Sequence, residues 1–307
     1  MKLFNKYKEC PMKLFKQVKI SKTGLAFLLP AVLFIIAFSV VPLIWSFILA
    51  FQSWDGFGTP EYVGLSNFKY TFGDKVAMKS LYNSVYYALA STAGSVILGL
   101  FFASLLIKVN GREGSVIRMI LYSPALLPIA VVGLMFTFFY NPTVGLVNQL
   151  LTVVGLESWT KVWLQDSKTA MNAIVVAAIW KNIGANMILC YAAMQSIPNS
   201  LYEASIVDGA GFWKQMFKIT YPLIKPMILL TTINTLGRQY KSYGLIYTMT
   251  NGGPGTLTTT VPITMIKTAF GWGYMGKAAA MGLILTVVVA ISILITKYVL
   301  RGEDYEY

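Results

Sequence analysis

The chain has 307 residues, of which 56% are hydrophobic and 12% charged, with a mean hydropathy of +0.62. A soluble domain of this length would expose far more charge, so the bilayer is the better solvent and a water-soluble enzyme or nucleic-acid binder is excluded as the class. The net charge of +13 is clustered at the ends of apolar runs; there is no histidine, and the two cysteines, Cys10 and Cys190, lie far apart. These facts remove a Ser-His-Asp triad, metal-ligand spacing and a disulfide framework.

In chain order, residues 1–22 hold seven lysines and one acid, and read as a basic cytoplasmic arm. A cleaved secretory signal fits less well, because the apolar run that follows is too long and lacks a small-residue cleavage pattern. Six runs are then long enough to cross about 30 Å of hydrocarbon at 1.5 Å per residue. They are expected at 24–50, 83–107, 116–140, 170–195, 223–249 and 278–299, with 300–307 as a short tail. Lys108, Arg112 and Arg118 flank one link, Lys214 and Lys218 another, and Lys297 and Arg301 follow the last span. The alternate links 51–82, 141–169 and 250–277 are nearly charge-balanced, apart from Lys267 and Lys277. By the positive-inside rule, both termini face the cytoplasm of a multi-pass cell-membrane protein. The expected fold class is all-α, with six transmembrane helices.

Aromatic residues gather near span ends, among them Trp45, Trp54, Tyr140, Trp163 and Trp272, as an interfacial belt does. Pro124 and Pro128 stand four apart in the third span and free backbone carbonyls there, which bends the helix. Such a bend is more often geometry than a hinge.

The link 197–222 is longer than the other basic links. Pro198, then Ser200 with Glu203 as a capping box, predict a short helix over about 200–208. Gly209 and Gly211 permit a turn. Phe212, Trp213, Met216 and Phe217 restart an amphipathic piece, and Pro222 opens the fifth span. From the residues alone this is an interfacial helix on the inner leaflet.

The spacing says more. Glu203-Ala204-Ser205, three residues, Gly209, nine residues, Ile219, two residues, Pro222 resembles the EAA motif of ABC-importer permeases, with Ser205 for the second alanine and Tyr221 for leucine. Other stretches are similar to the maltose-type and multiple-sugar-type carbohydrate permeases: Val63-Gly-Leu-Ser-Asn-Phe68, Asn141-Pro142, Trp180-Lys-Asn182 and Thr250-Asn-Gly-Gly-Pro254. The resemblance covers 24–299. It implies a type I ABC-importer permease fold with a cytoplasmic coupling helix, whose Glu203, Ala204, Ser205, Asp208, Gly209, Ala210 and Gly211 meet an ATPase subunit. It also implies two ATPase subunits holding ATP-Mg, a homologous second permease forming a heterodimer, and an extracytoplasmic solute-binding protein. No cofactor, metal or catalytic residue is expected in this chain, which lacks a Walker A sequence.

In the fifth span, Thr231, Asn234, Arg238 and Lys241 recur at steps of three, four and three, which places them on one helical face. Arg238 lies sixteen residues past Pro222, about 24 Å along a straight helix. A cation at that depth costs roughly 2.5–3.5 kcal/mol, so the stripe is expected to line water. The resemblance implies solute contacts near Asn182, Gln239, Lys241 and Ser242, with Lys241 where the maltose-type pattern has an amide. The expected cargo is therefore a sugar or oligosaccharide, with a uronide, sialate or phosphate group as the sharper expectation. Contact of Arg238 and Lys241 with lipid headgroups or with carbonyls of the partner permease is the rival reading. The rival classes are an ion-coupled secondary transporter, which six spans without a repeat and with few acids make hard to build, and a membrane enzyme, for which clustered acids are missing.

Overall fold

The computed structural model describes residues 22–109 and 111–300, so the basic arm and the tail beyond Leu300 lie outside the described residues. The chain divides into two compact units, one ending at Ile48 and one beginning at Leu49. The first unit carries the first apolar span, which runs through α1 (Lys22–Ile35), a wide π-type turn (Ile36–Val40) and α2 (Val41–Leu49). Its wide turn has a local cause. Pro42 has no N–H to give, and the preceding Val41 N–H reaches back five residues to the Ile36 carbonyl.

Among its described residues, the second unit carries helices and one antiparallel pair of two-residue strands, β1 (Gln52–Ser53) and β2 (Glu61–Tyr62), with Gln52 opposite Tyr62. After α3 (Ser66–Gly73), α4 runs from Lys75 to Leu106. It starts eight residues before the expected 83, because Asp74 caps it: its carboxylate accepts from Val76 N–H at 2.6 Å and Ala77 N–H at 3.1 Å. At 32 residues, α4 is about 48 Å long and projects beyond the hydrocarbon.

The third span is not one rod. α5 (Gly111–Leu126) and α6 (Ile129–Phe139) meet at 97°, because Pro128 disfavours helical backbone at Leu127 and itself sits extended at φ −56°, ψ 140°. α7 (Leu146–Val153) then lies in the link, and α8 (Ala170–Gln195) fills the expected fourth span. α9 (Asn199–Val207) and α10 (Phe212–Gln215) form the link to the fifth span. That span is broken as well. Pro222 falls in a single turn, α11 (Tyr221–Leu223), and α12 (Lys225–Tyr240) restarts with Pro226 in its first turn, so the two halves meet at 71°. The expected straight run over 223–249 is thus corrected to α12 and a separate α13 (Gly244–Thr250). α14 (Val261–Ile266) and α15 (Met275–Val299) complete the chain. Among the described residues, four helices are long and apolar enough to cross a membrane, and the count reaches six when each bent pair is one span.

Packing depends on small and polar residues where helices meet. Gly99 on α4 leaves room for α8: a Cβ there would sit 2.9 Å from the Met187 nitrogen. At Gly184 on α8, a Cβ would lie 2.1 Å from the Leu121 carbonyl oxygen, so α5 passes directly over it. Around these contacts lies a core of Tyr87, Val132, Ile174, Ala177, Leu245 and Ile246. Tyr140 and Trp163, read from the sequence as belt residues, belong to this interior: Tyr140 is buried and donates to the Ala173 carbonyl, and Trp163 donates to Asn148. Across the bundle, Asn186 donates to Ser95 at 3.1 Å and accepts from Thr235 at 2.9 Å, tying α8 to α4 and α12. All three groups are buried, and each such bond in a membrane is worth about 0.6 kcal/mol on average.

Asp74 gives a direct test of the α4 start. Burial pushes its carboxyl pKa up, but the Ala77 N–H, the Tyr70 hydroxyl, the Val76 N–H and the nearby Lys277 outweigh this and hold it below the ordinary value. A depressed folded-state pKa means the cap stabilises above the unfolded pKa and is lost as pH falls through the folded one. Asp74→Ala is expected to cost about 1 kcal/mol at neutral pH. In thermal denaturation of the detergent-solubilised protein, the gap to wild type should close as the pH is taken below about 4; a gap that persists unchanged would refute the cap.

Candidate functional site

The link between α8 and α12 is built around a short helix held from behind. Pro198 stands at the α9 N-cap and no side chain caps it, so the expected Ser200–Glu203 capping box does not form. Asn199 enters the first turn instead, which moves Ser200 inside the helix. The Glu203 side chain is exposed, and its carboxylate makes no hydrogen bond or ion pair among the described residues. The helix ends as the glycine predicts: Gly209 adopts φ +70°, its N–H returns to the Ile206 carbonyl, and the Ala210 N–H returns to that of Ser205. This pair of bonds is a Schellman closure. Gly211, by contrast, has φ −71°, open to any residue, and serves as the N-cap of α10.

One face of α9 anchors the link and the other is free. Ser205 is buried, donates to the Tyr202 carbonyl and accepts from Gln215 at 2.9 Å; Tyr202 meets the Thr220 hydroxyl at 2.9 Å. Ser205 is thus a strut between α9 and α10 and not part of an outward surface. Glu203, Ala204 and Asp208 face outward beside Ile206, and Val207 is 88% exposed at the tip. The segment is fastened to the end of α4 by rings. Trp213 stacks on Phe101 at 6.2 Å and 11°, Lys108 lies 4.2 Å over Phe212, and the Tyr221 hydroxyl meets Ser104 at 2.9 Å. A leucine at 221, as in the motif, could not make that last bond.

A second site lies deeper in the bundle. A pocket of about 420 Å³ opens where α8, the α5–α6 break and the α12–α13 junction meet. It brings together five of the six pathway residues expected from the sequence: Asn182, Arg238, Gln239, Lys241 and Ser242. Asn234 is exposed but does not line the pocket, and Thr231 is buried, so of the expected stripe only Arg238 and Lys241 border this space. α12 closes at Tyr240 with the Lys241 and Ser242 N–H groups turning back three residues, to the Arg238 and Gln239 carbonyls. Lys241 therefore stands at a helix end and not one step further along a face. The bend at Ile224 likewise breaks the straight 24 Å run assumed for Arg238.

The pocket wall is organised. Arg238 reaches Thr235 at 3.4 Å, and through it the Asn186–Ser95 bridge; Ser242 meets the Tyr87 hydroxyl at 3.1 Å. Asn182 gives its amide to the Ala178 carbonyl of its own helix. Lys181, absent from the sequence expectation, also lines the space. Its ammonium donates to the Leu127 carbonyl at 2.6 Å, with Ala125 and Pro124 at 3.3 and 3.4 Å. The signal for it was available: a lysine in the middle of a 26-residue apolar helix needs a partner. No aspartate or glutamate lines the pocket, and among the described residues no three metal-ligating side chains cluster.

Comparison with known proteins places these features in context. The sequence pattern of the family described as binding-protein-dependent transport system inner membrane component matches residues 95–304. The probable ABC transporter permease protein YurN of Bacillus subtilis is 34% identical over 282 residues, covering 91% of this chain and 96% of its own length. The sulfoquinovosyl glycerol transport system permease protein SmoG of Agrobacterium fabrum is 32% identical over 78% of this chain and 76% of its own. The sn-glycerol-3-phosphate transport system permease protein UgpA of Escherichia coli O157:H7 is 31% identical over 83% of this chain and 86% of its own. In fold, a chain of a bacterial ABC transporter involved in the import of the acidic polysaccharide alginate matches with a TM-score of 0.80 at 24% identity, over 94% of this chain and 98% of that one.

The two glycines of the link separate cleanly by experiment. Gly209→Ser places a side chain at positive φ and should cost about 1 kcal/mol locally, speeding amide hydrogen exchange across 199–209 roughly fivefold. Gly211→Ser puts a good N-cap residue at ordinary backbone angles and should leave exchange unchanged. Equal effects at both positions would contradict the Schellman closure.

Proposed function

The chain belongs to the binding-protein-dependent transport system inner membrane components, and from that premise we propose that it is one half of the pore of an ATP-driven importer for a sugar carrying an acidic group. It is a transport permease of the ABC class, not an enzyme, and the ion-coupled secondary transporter considered from the sequence is set aside by that membership. The observation that carries the proposal is the pocket in which Lys181, Arg238 and Lys241 meet amides and hydroxyls with no carboxylate among them. Cations at membrane depth are costly, and a cargo anion offsets that cost while the amides and hydroxyls serve sugar hydroxyls. Two relatives whose names specify sulfoquinovosyl glycerol and sn-glycerol-3-phosphate support a cargo of this kind.

In this reading α9 is the coupling helix. Its free face of Glu203, Ala204 and Asp208, with Ile206 and Val207 at the tip, sits in a groove of an ATPase subunit, while Ser205 and Gly209 shape the helix and Ala210 and Gly211 turn the chain into α10. ATP-Mg is bound and hydrolysed on two such subunits. A homologous second permease completes the pore, and an extracytoplasmic binding protein delivers the cargo. The basic links, including Lys108 and Lys214, face the cytoplasm of a bacterial cell, with both termini on that side. Membrane lipid surrounds the bundle.

Two measurements test this. In the reconstituted complex with its binding protein, an acidic oligosaccharide should stimulate ATP hydrolysis more than a neutral one, and Arg238→Gln should reduce the acidic response about tenfold. Equal stimulation by both sugars, unaltered by Arg238→Gln, would overturn the acidic cargo. Val207→Asp should abolish co-purification of the ATPase while the permease still reaches the membrane; retained association would remove α9 as the docking element.

A further inference from the structure

We propose that Lys181 is a specificity-determining residue of the importer: its ammonium, parked on the carbonyls of the broken third span, swings onto the carboxylate or phosphate of the cargo as the third cation of the pocket. This rests on the acidic-cargo reading above and adds a residue that was not among the pathway residues expected from the sequence.

The three donors of Lys181 are unequally used. The Leu127 carbonyl is close at 2.6 Å, whereas Ala125 and Pro124 stand at 3.3 and 3.4 Å, near the limit of a hydrogen bond. All three acceptors are neutral carbonyls at the C-terminal end of α5, which carries a partial negative charge and holds a cation without neutralising it. At the pocket wall the ammonium stands together with Arg238 and Lys241, with no acid lining the space. An anion entering there supplies a full countercharge that none of the lining side chains provides. It makes a stronger, charge-assisted bond than the two long carbonyl contacts it replaces.

The side chains also divide the labour. Arg238 touches Thr235 through one long bond at 3.4 Å, and Thr235 in turn bonds the buried Asn186, so the guanidinium lies against an ordered polar corner. Lys181 sits on a flexible four-carbon stem with rotatable donors and can change partners without moving α8. Asn182, the next residue, lines the same pocket and supplies a neutral contact beside it. A purely structural lysine, acting only as a cap for α5, predicts something different: its loss would weaken the protein toward every solute alike.

The test uses the whole importer complex in lipid nanodiscs, with D-glucuronate, inorganic phosphate and D-glucose as probes at matched ionic strength, and reads binding by calorimetry together with the thermal midpoint without ligand. Wild type should bind glucuronate and phosphate in preference to glucose. Lys181→Gln, which keeps an N–H donor for the carbonyls but no charge, should weaken the two anions about tenfold and leave glucose unchanged, and Lys181→Arg should restore them. If Lys181→Gln does not yield folded complex, Lys181→Met is measured the same way; failure of both to assemble makes Lys181 a structural cap and overturns the inference. Anion binding that survives Lys181→Gln but falls with Arg238→Gln overturns it as well, and leaves the acidic cargo standing. No preference for anions in wild type, with Arg238→Gln without effect, removes the acidic cargo and this inference together.

Discussion

A backbone carbonyl released inside a bilayer has no water to turn to, and much of this bundle follows from how two released groups are served. The third span breaks at Leu127–Pro128, and the lysine of the neighbouring helix comes to the freed carbonyls. Near the opposite end of α4, Asn83 does the equivalent for the turn after α13, its amide within reach of the Thr256, Leu257 and Thr259 carbonyls. Irregular backbone is tolerated at membrane depth only under such cover. The break in turn makes the pocket, because a straight third span would fill the volume that now lies between α8 and the α12–α13 junction. Satisfying a backbone requirement and creating a polar cavity are thus one structural event.

How much of this was readable in advance depended on the range of the interactions involved. α8 was legible almost to the residue, because an uninterrupted apolar run between charged links has one physical outcome. Pro124 and Pro128 announced a bend, and their angle was not readable, since it is set by where α6 packs on α13. The fifth span misled for a related reason. Its apolar pattern continues through Pro222 and Pro226, and the helix nevertheless stops twice, at Ile224 and at Lys241, through local backbone turns that hydropathy does not register. Thr231 and Asn234, expected beside Lys241, do not line the pocket that Lys241 borders. Even so, five pathway residues converge on one pocket, because Arg238, Gln239, Lys241 and Ser242 are close in sequence whatever the helix does, and Asn182 is fixed by α8.

The link with the EAA spacing shows a similar division. Gly209 did what a glycine in that place must do, but the capping box failed, since Pro198 occupied the N-cap. Ser205, a mild departure from the motif, acquires a partner in Gln215 that alanine could not have had, and Tyr221, the other departure, acquires Ser104. Both substitutions exchange an apolar contact for a hydrogen bond that fastens the link more firmly to the rest of the protein. Their logic is local to this chain, and a motif comparison registers them only as mismatches.

The stack of Phe101 on Trp213 has a mechanical consequence. With Lys108 on Phe212 and Ser104 on Tyr221, it welds the segment before the fifth span to the last turns of α4, while the 71° elbow at Ile224 separates that same segment from α12. The tip of α9 therefore sits on a segment fastened to α4 by direct side-chain contacts and joined to α12, with the pocket's arginine on it, through the elbow. The aromatic weld thus joins the tip of the link to the longest helix in the described structure.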